Sequence, residues 1–268
     1  MVRYIEDVYK DEKSLAKAAQ ERFVHEMKQM VTNQQQHRLC VALCVRDLMN
    51  WHLKQQYSTS PGILSAKCIY RLRPRLHLQG MTCVEALRLA RRNGTMTIDA
   101  FRSAQDRFRV SMHAMAIAPE TANKSLISKL FRRYLSKLLS CRCKRPEVVT
   151  AIRVTHFYRI RSQRGLKVAL HLCGPCLVVL PCPSKPQTQF WLPDRVSTSS
   201  TNAVDVEVDA FHCVVVYGYD AHGFRFYNSW GDQWASRGHS YLSFADFDRY
   251  CMEAWTIRGV NTVTAVPT

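Results

Sequence analysis

The two halves of this 268-residue chain carry different hydrophobic periods, and that change constrains the fold more than any other feature. Glu12 to Met30 places Leu15, Ala18, Ala19, Phe23 and Met27 at helical spacing among charges, which predicts an amphipathic helix. Cys40 to Lys54 carries Val41, Leu43, Cys44, Val45, Leu48, Trp51 and Leu53, so apolar a set that the helix must be mostly buried. A further helix fits Cys83 to Arg92, stopped by Asn93-Gly94. Beyond residue 146 the pattern shortens. Val149–Tyr158, Cys176–Leu180, Cys213–Tyr219, Gly223–Tyr227 and Ser240–Phe244 are runs rich in Val, Tyr and Phe between Gly, Pro, Asn and Asp, and they read as β-strands. Pro183 to Asp205 reads as a long loop. Helices followed by strands predict an α+β fold of two unlike lobes, a helical N-terminal lobe and a β-rich C-terminal lobe, with a cleft between them.

Composition bounds the rest. With 47% hydrophobic and 22% charged residues the chain can bury a sizeable core and does not resemble a disordered polymer. The most apolar stretch, Leu172–Pro183, is short and broken by Pro175 and Pro181, which excludes a membrane-spanning helix there. The first twenty residues are charged throughout and lack the apolar core of a signal peptide. The expected location is therefore the cytosol, the nucleus or a virion. Eleven cysteines then read as free thiols in a reducing compartment, most of them small core residues.

The net charge of +17 favours polyanionic partners. It concentrates in Thr121–Pro146, which holds eight Lys/Arg and no acid around a stripe of Leu126/Ile127, Leu130/Phe131, Tyr134/Leu135 and Leu138/Leu139. Two readings of this helix stand side by side. It packs on the domain and solvates its basic face, or the Lys/Arg of 124–145 contact nucleic acid or an anionic membrane.

Chemistry follows from four contexts. A cysteine attacks a carbonyl well only as a thiolate, which a histidine stabilises as an ion pair. A third group must fix the imidazole, and donors must meet the oxyanion. Gln34 precedes Cys40 by six residues, and Cys40 opens the buried helix. Leu166–Leu170 is followed by Gly174-Pro175 and a strand. Phe211-His212 starts a strand ending in Gly218-Tyr219, and Asn228-Ser229-Trp230-Gly231 with Trp234 begins sixteen residues after the histidine.

This series resembles the papain-like cysteine peptidases, over roughly residues 30–105 and 147–256. The resemblance implies a single papain-like domain over 1–268, with a helical extension at 1–32 and a basic helical insertion at 106–146. It implies a cysteine endopeptidase acting on polypeptides through an acyl-enzyme, with no cofactor and no metal. Cys40 is the implied nucleophile, His212 the acid/base, Asn228 its orienter and Trp230 the shield of their hydrogen bond. Gln34 and the Cys40 N–H form the implied oxyanion hole. Gln79, Gly80 and Met81 resemble the strip that binds extended substrate, and Ala210 and Cys213 flank the histidine where the family lines its main specificity pocket.

The chain departs from the family pattern at His37-Arg38-Leu39, Val41, Met81 and Phe211, which bears on substrate preference more than on fold. Cys40 and His212 are 172 residues apart, a long gap that the insertion explains. Only 33 residues precede Gln34, which leaves no room for a long inhibitory propeptide.

Other motifs compete less well. Cys173-Gly-Pro-Cys176 has thioredoxin-like spacing but runs into a strand rather than opening a helix. Cys141 and Cys143 supply two thiols where a zinc site needs four ligands. Cys44, ten residues after Gln34, reads as core, and the eight histidines other than His37 and His212 have no motif context. The alternative function is an inactive papain-like scaffold that binds an anionic partner through its basic surface.

Overall fold

The computed structural model describes residues 2–8, 32–34, 38–57, 62–74, 80–114, 124–139, 149–183 and 208–265. They form helices first and strands mainly afterwards, the α+β order expected, and divide into two compact units. One comprises Met1–Leu48 and Phe157–Arg258, the other Met49–His156 and Gly259–Thr268. The division falls inside helix α2 (Cys40–Gln56), which contributes residues to both.

The first unit is built on a six-stranded antiparallel sheet of β2 (Phe157–Ile160), β3 (Cys176–Pro183), β4 (Val208–Tyr219), β5 (Gly223–Tyr227), β6 (His239–Ser243) and β7 (Glu253–Ile257). The strand order is β2-β7-β3-β4-β5-β6. Alternation along β3 and β4 sends Val178, Leu180, Val214 and Val216 to one face, where they join Leu166, Ala169 and Leu170 of helix α7 (Gln163–Leu172) in a single apolar core. Phe224, Phe226, Leu242 and Phe247 of helix α8 (Phe244–Tyr250) extend that core.

Serines start both helices: Ser162 Oγ accepts from Gly165 N (3.0 Å) and Ser243 Oγ from Asp246 N (3.0 Å). Helix α1 (Ile5–Val8) fastens to the same corner. Ile5 is fully buried in the core, and Glu6 Oε1 accepts from Arg161 N (2.9 Å) and Ser162 Oγ (3.2 Å). Arg161 bonds Asp7 at 2.9 Å and covers the Tyr4 ring at 3.5 Å.

The second unit holds α3 (Ala66–Arg71), α4 (Cys83–Arg92), α5 (Ile98–Ala114) and α6 (Lys124–Leu139), together with the antiparallel pair β1 (Val149–Val154) and β8 (Val260–Ala265). Its core joins Cys68, Met96, Phe101, Ala104, Phe131, Leu135 and Leu138. Helix α4 matches the predicted span: Thr82 Oγ1 accepts from Glu85 N (3.3 Å), and Asn93-Gly94 ends it. Gly94 has φ +79, and a Cβ there would stand 2.5 Å from Ile152 O, so both conformation and space demand glycine.

The run Val149–Tyr158, expected as one strand, is two strands in different units. Its break at Thr155 is fixed by Gly259, whose carbonyl accepts from both the Thr155 N–H (3.0 Å) and Oγ1 (3.1 Å). Position 106, expected to open an insertion, lies within the continuous helix α5. The expected helix at 12–30 and most of the expected loop at 183–205 lie outside the described residues, as do Gln79, Cys141 and Cys143. Among the described residues no helix is long and apolar enough to cross a membrane.

Candidate active site

Cys40 is the first residue of α2, where the unpaired N–H groups of the first turn favour an anion. The helix behind it is buried at every residue from Val41 to Asn50, whereas Cys40 itself is partly exposed at the N-terminal end. Cys44, one turn on, is 2% exposed. Four other described thiols are made poor nucleophiles by burial. Burial pushes Cys68 and Cys173 up to about 11. Burial with Glu253 and Asp248 nearby pushes Cys251 up to about 12. Burial raises the Cys176 thiol well above its ordinary value too. Cys173 caps the C-terminal end of α7, the wrong helix end to activate a redox thiol.

His212 lies on β4 opposite Leu180 and is 5% exposed. Its Nε2 is 2.6 Å from Asn228 Oδ1. The same oxygen accepts the Ser229 N–H at 2.7 Å, so the amide is turned with its oxygen inward. An oxygen in that place can only accept; Nε2 therefore carries the hydrogen and Nδ1 is the basic atom of the neutral ring. Trp230 lies over the imidazole with ring centroids 4.6 Å apart, and Trp234 meets Trp230 edge-on at 5.4 Å. Burial lowers the His212 pKa to about 4, and the Asn228 hydrogen bond offsets only part of that effect.

Gln34 joins this group through the backbone. Asn33 bridges Trp230 in antiparallel fashion, Gln34 N donates to Ser229 O (2.7 Å), and Gly231 N donates to Thr32 O (3.0 Å). Ser229 Oγ then donates to Gln34 Oε1 at 2.7 Å. That bond occupies the amide oxygen and turns the Nε2 hydrogens outward as the remaining donors. Gln34, Ser229, Asn228 and His212 thus form one continuous hydrogen-bonded set, and with Cys40 they all belong to the first unit.

The residues expected to contact substrate are more scattered. Ala210 is exposed and pairs with Cys182, whereas Cys213 is 1% exposed and pairs with Val179. Alternation along β4 puts these two on opposite faces, with Phe211, 58% exposed, on the face of Cys213. Gly80 and Met81 belong to the second unit just before α4; Gly80 has φ +82, and its N–H donates to Tyr70 Oη at 3.2 Å.

Two features carried sequence signals that the reading above does not use. Ser229 stands inside the quoted Asn-Ser-Trp-Gly run, yet its bond to Gln34 has no local signature. Arg46 and Asp47 interrupt an otherwise apolar helix, and they form a buried pair, 6% and 2% exposed, with Nε to Oδ1 at 2.6 Å. Burial raises the Asp47 carboxyl, while Arg46 and the Tyr227 hydroxyl oppose that rise. Arg46 also reaches Thr32 Oγ1 at 3.5 Å, beside the Gln34 segment. Among the described residues no three His, Cys, Asp or Glu side chains gather as metal ligands.

No protein-family model matches this chain, and neither does any curated protein. Solved structures do. Xylellain, a cysteine protease from Xylella fastidiosa, aligns over 97% of this chain and 92% of its own, with a TM-score of 0.62 and 14% identity. Procathepsin B S9 from Trypanosoma congolense aligns over 87% and 73%, with a TM-score of 0.55 and 12% identity. Digestive procathepsin L 3 from the larval midgut of Tenebrio molitor aligns over 85% and 65%, with a TM-score of 0.52 and 17% identity.

Proposed function

We propose that this chain, which has the papain-like fold, is a cysteine endopeptidase with Cys40 as nucleophile, His212 as acid/base and Asn228 as orienter. The observation that carries this reading is the Gln34–Ser229–Asn228–His212 hydrogen-bonded set, in which each group is turned the way acyl transfer requires. Nδ1 of His212 is the base that takes the Cys40 proton. Because burial, offset only in part by Asn228, holds the imidazolium at about 4, a protonated His212 near neutral pH depends on the thiolate formed by the same transfer.

The thiolate attacks the peptide carbonyl carbon, and the oxyanion is met by Gln34 Nε2 and the Cys40 N–H. Collapse breaks the C–N bond as His212 returns its proton to the departing amine. A water molecule then gives a proton to His212 and attacks the thioester, releasing the acid and restoring the thiol. Gly80, Met81, Ala210 and Cys213 are proposed substrate contacts on the sequence resemblance alone.

An epoxide-type thiol inhibitor should label wild-type protein at Cys40 and leave Cys40→Ala unlabelled, with peptide hydrolysis lost in the same variant. Well-folded wild type that neither labels nor cleaves any peptide in a mixed library would instead identify an inactive scaffold.

A further inference from the structure

Helices α3, α5 and α6 of the second unit enclose a half-open pocket of about 210 Å³. Its floor is buried, with Met112 4% and Phe131 7% exposed, and its walls are Phe108 and Ile127. The aromatic wall is fixed by its neighbours: Phe131 meets Phe108 at 5.0 Å and Phe101 at 6.0 Å, and Phe108 meets Tyr134 at 5.6 Å. Two exposed guanidinium side chains, Arg71 and Arg109, line it on the solvent side, and the half-buried Gln105 completes the lining. Arg109 has Asp106 at 3.7 Å, but with both side chains more than 70% exposed that pair is weak and easily exchanged for another anion.

Polarity along the pocket therefore runs from an apolar floor to a cationic rim. A bare phosphate backbone has no use for the aromatic floor, and a neutral hydrocarbon has none for the arginines. The apolar character continues outside: Val110 beside Arg109 is 69% exposed and Leu126 beside Ile127 is 51% exposed. Helix α6 adds Lys129, Arg132, Arg133 and Lys137 with no acidic residue. This pattern fits an anionic head on an apolar chain.

We propose that this pocket binds an amphiphilic anion, its chain seated between Phe108, Ile127 and Phe131 and its carboxylate or phosphate head held by Arg71 and Arg109. An empty cavity of about 150 Å³ already accepts benzene, so this volume takes a chain of about six to eight carbons or one aryl ring. The site is independent of peptidase chemistry and stands or falls separately from it.

The test titrates the full chain with octanoate and octanol by calorimetry, and pellets it with phosphatidylglycerol vesicles. Octanoate should bind in the range of tens to hundreds of micromolar, the reach of a ligand of about ten heavy atoms. Octanol should bind at least tenfold more weakly. The exposed double variant Arg71→Gln/Arg109→Gln should lose octanoate at least tenfold at an unchanged melting temperature. Ile127→Trp should fill the pocket and abolish binding; if it fails to fold, the arginine variant decides.

Octanoate binding without vesicle binding assigns a free carboxylate, and vesicle binding that Ile127→Trp abolishes assigns a lipid. Each outcome supports the site. No octanoate binding at about 1 mM, equal affinity for octanol, or an unchanged affinity in the arginine variant overturns it.

Discussion

Removing the Cys40 sulfur turns His212 into a measurable electrostatic probe. In Cys40→Ala no thiolate can form at position 40, and burial, offset in part by Asn228 Oδ1, holds the imidazole at about 4. An unfolded histidine titrates near 6.5. Between these values the unfolded chain binds a proton that the folded chain refuses, so stability falls as pH falls. The contribution is fully present above about 6.5, is lost progressively toward about 4, and does not change further below that. At ~1.36 kcal/mol per pH unit the whole effect is roughly 3 kcal/mol, with about 2 kcal/mol of it gone by pH 5.

Little solvent discount applies to a side chain only 5% exposed. Urea midpoints of Cys40→Ala and Cys40→Ala/His212→Gln, compared near pH 7.5 and near pH 5, isolate the histidine, and an NMR titration of the ring reads it directly. A His212 pKa at or above 6.5 in Cys40→Ala, or equal pH slopes in the two variants, would refute the account. The same titration in wild-type protein then gives the thiolate's share as the rise above about 4.

Three further outcomes are expected. Asn228→Ala leaves His212 Nε2 and Ser229 N without their shared acceptor; kcat/KM on a peptide substrate should fall on the order of 100-fold, and urea unfolding should show a loss of about 2–4 kcal/mol. Gly165→Ala would bring a Cβ within 1.9 Å of Glu6 Oε1, so thermal unfolding should register a destabilisation of about 1–3 kcal/mol that largely disappears in a Glu6→Ala background. Asp47→Leu leaves Arg46 buried and uncompensated and should cost about 3–5 kcal/mol by urea unfolding, whereas the double change Arg46→Met/Asp47→Leu should cost much less.

Strong local patterns survived into the structure. Helix α4 ends at Asn93-Gly94 because the φ of Gly94 is a local requirement, and α2 starts at Cys40 because the apolar run Val41–Val45 begins there. Helix α5 was also legible in principle, with Phe101, Ala104, Phe108 and Met112 at spacings of three and four beneath a polar surface. The division of Val149–Tyr158 was not. Its cause is Gly259, about a hundred residues downstream, and no window around Thr155 contains it. The candidate site divides in the same way. Cys40, His212 and Asn228 stand in recognisable local runs, and Asn228 is turned by its own neighbour Ser229, but the hydrogen bond that turns Gln34 joins segments with no shared sequence neighbourhood.

The pairing of residues 32–34 with 229–231 has a consequence for the order in which the chain can become active. Gln34 and Ser229 are 195 positions apart, and closing a flexible loop of that length costs roughly 4–5 kcal/mol of chain entropy. During synthesis Gln34 and Cys40 precede the segment they join, so the hydrogen bonds that fix Gln34 and His212 cannot form until Asn228 to Gly231 have followed. On the proposed reading, peptide cleavage would be deferred until four of the six strands of the first unit's sheet, β2 to β5, have been synthesised. The rate of this one long-range closure would then contribute to the delay between synthesis and activity.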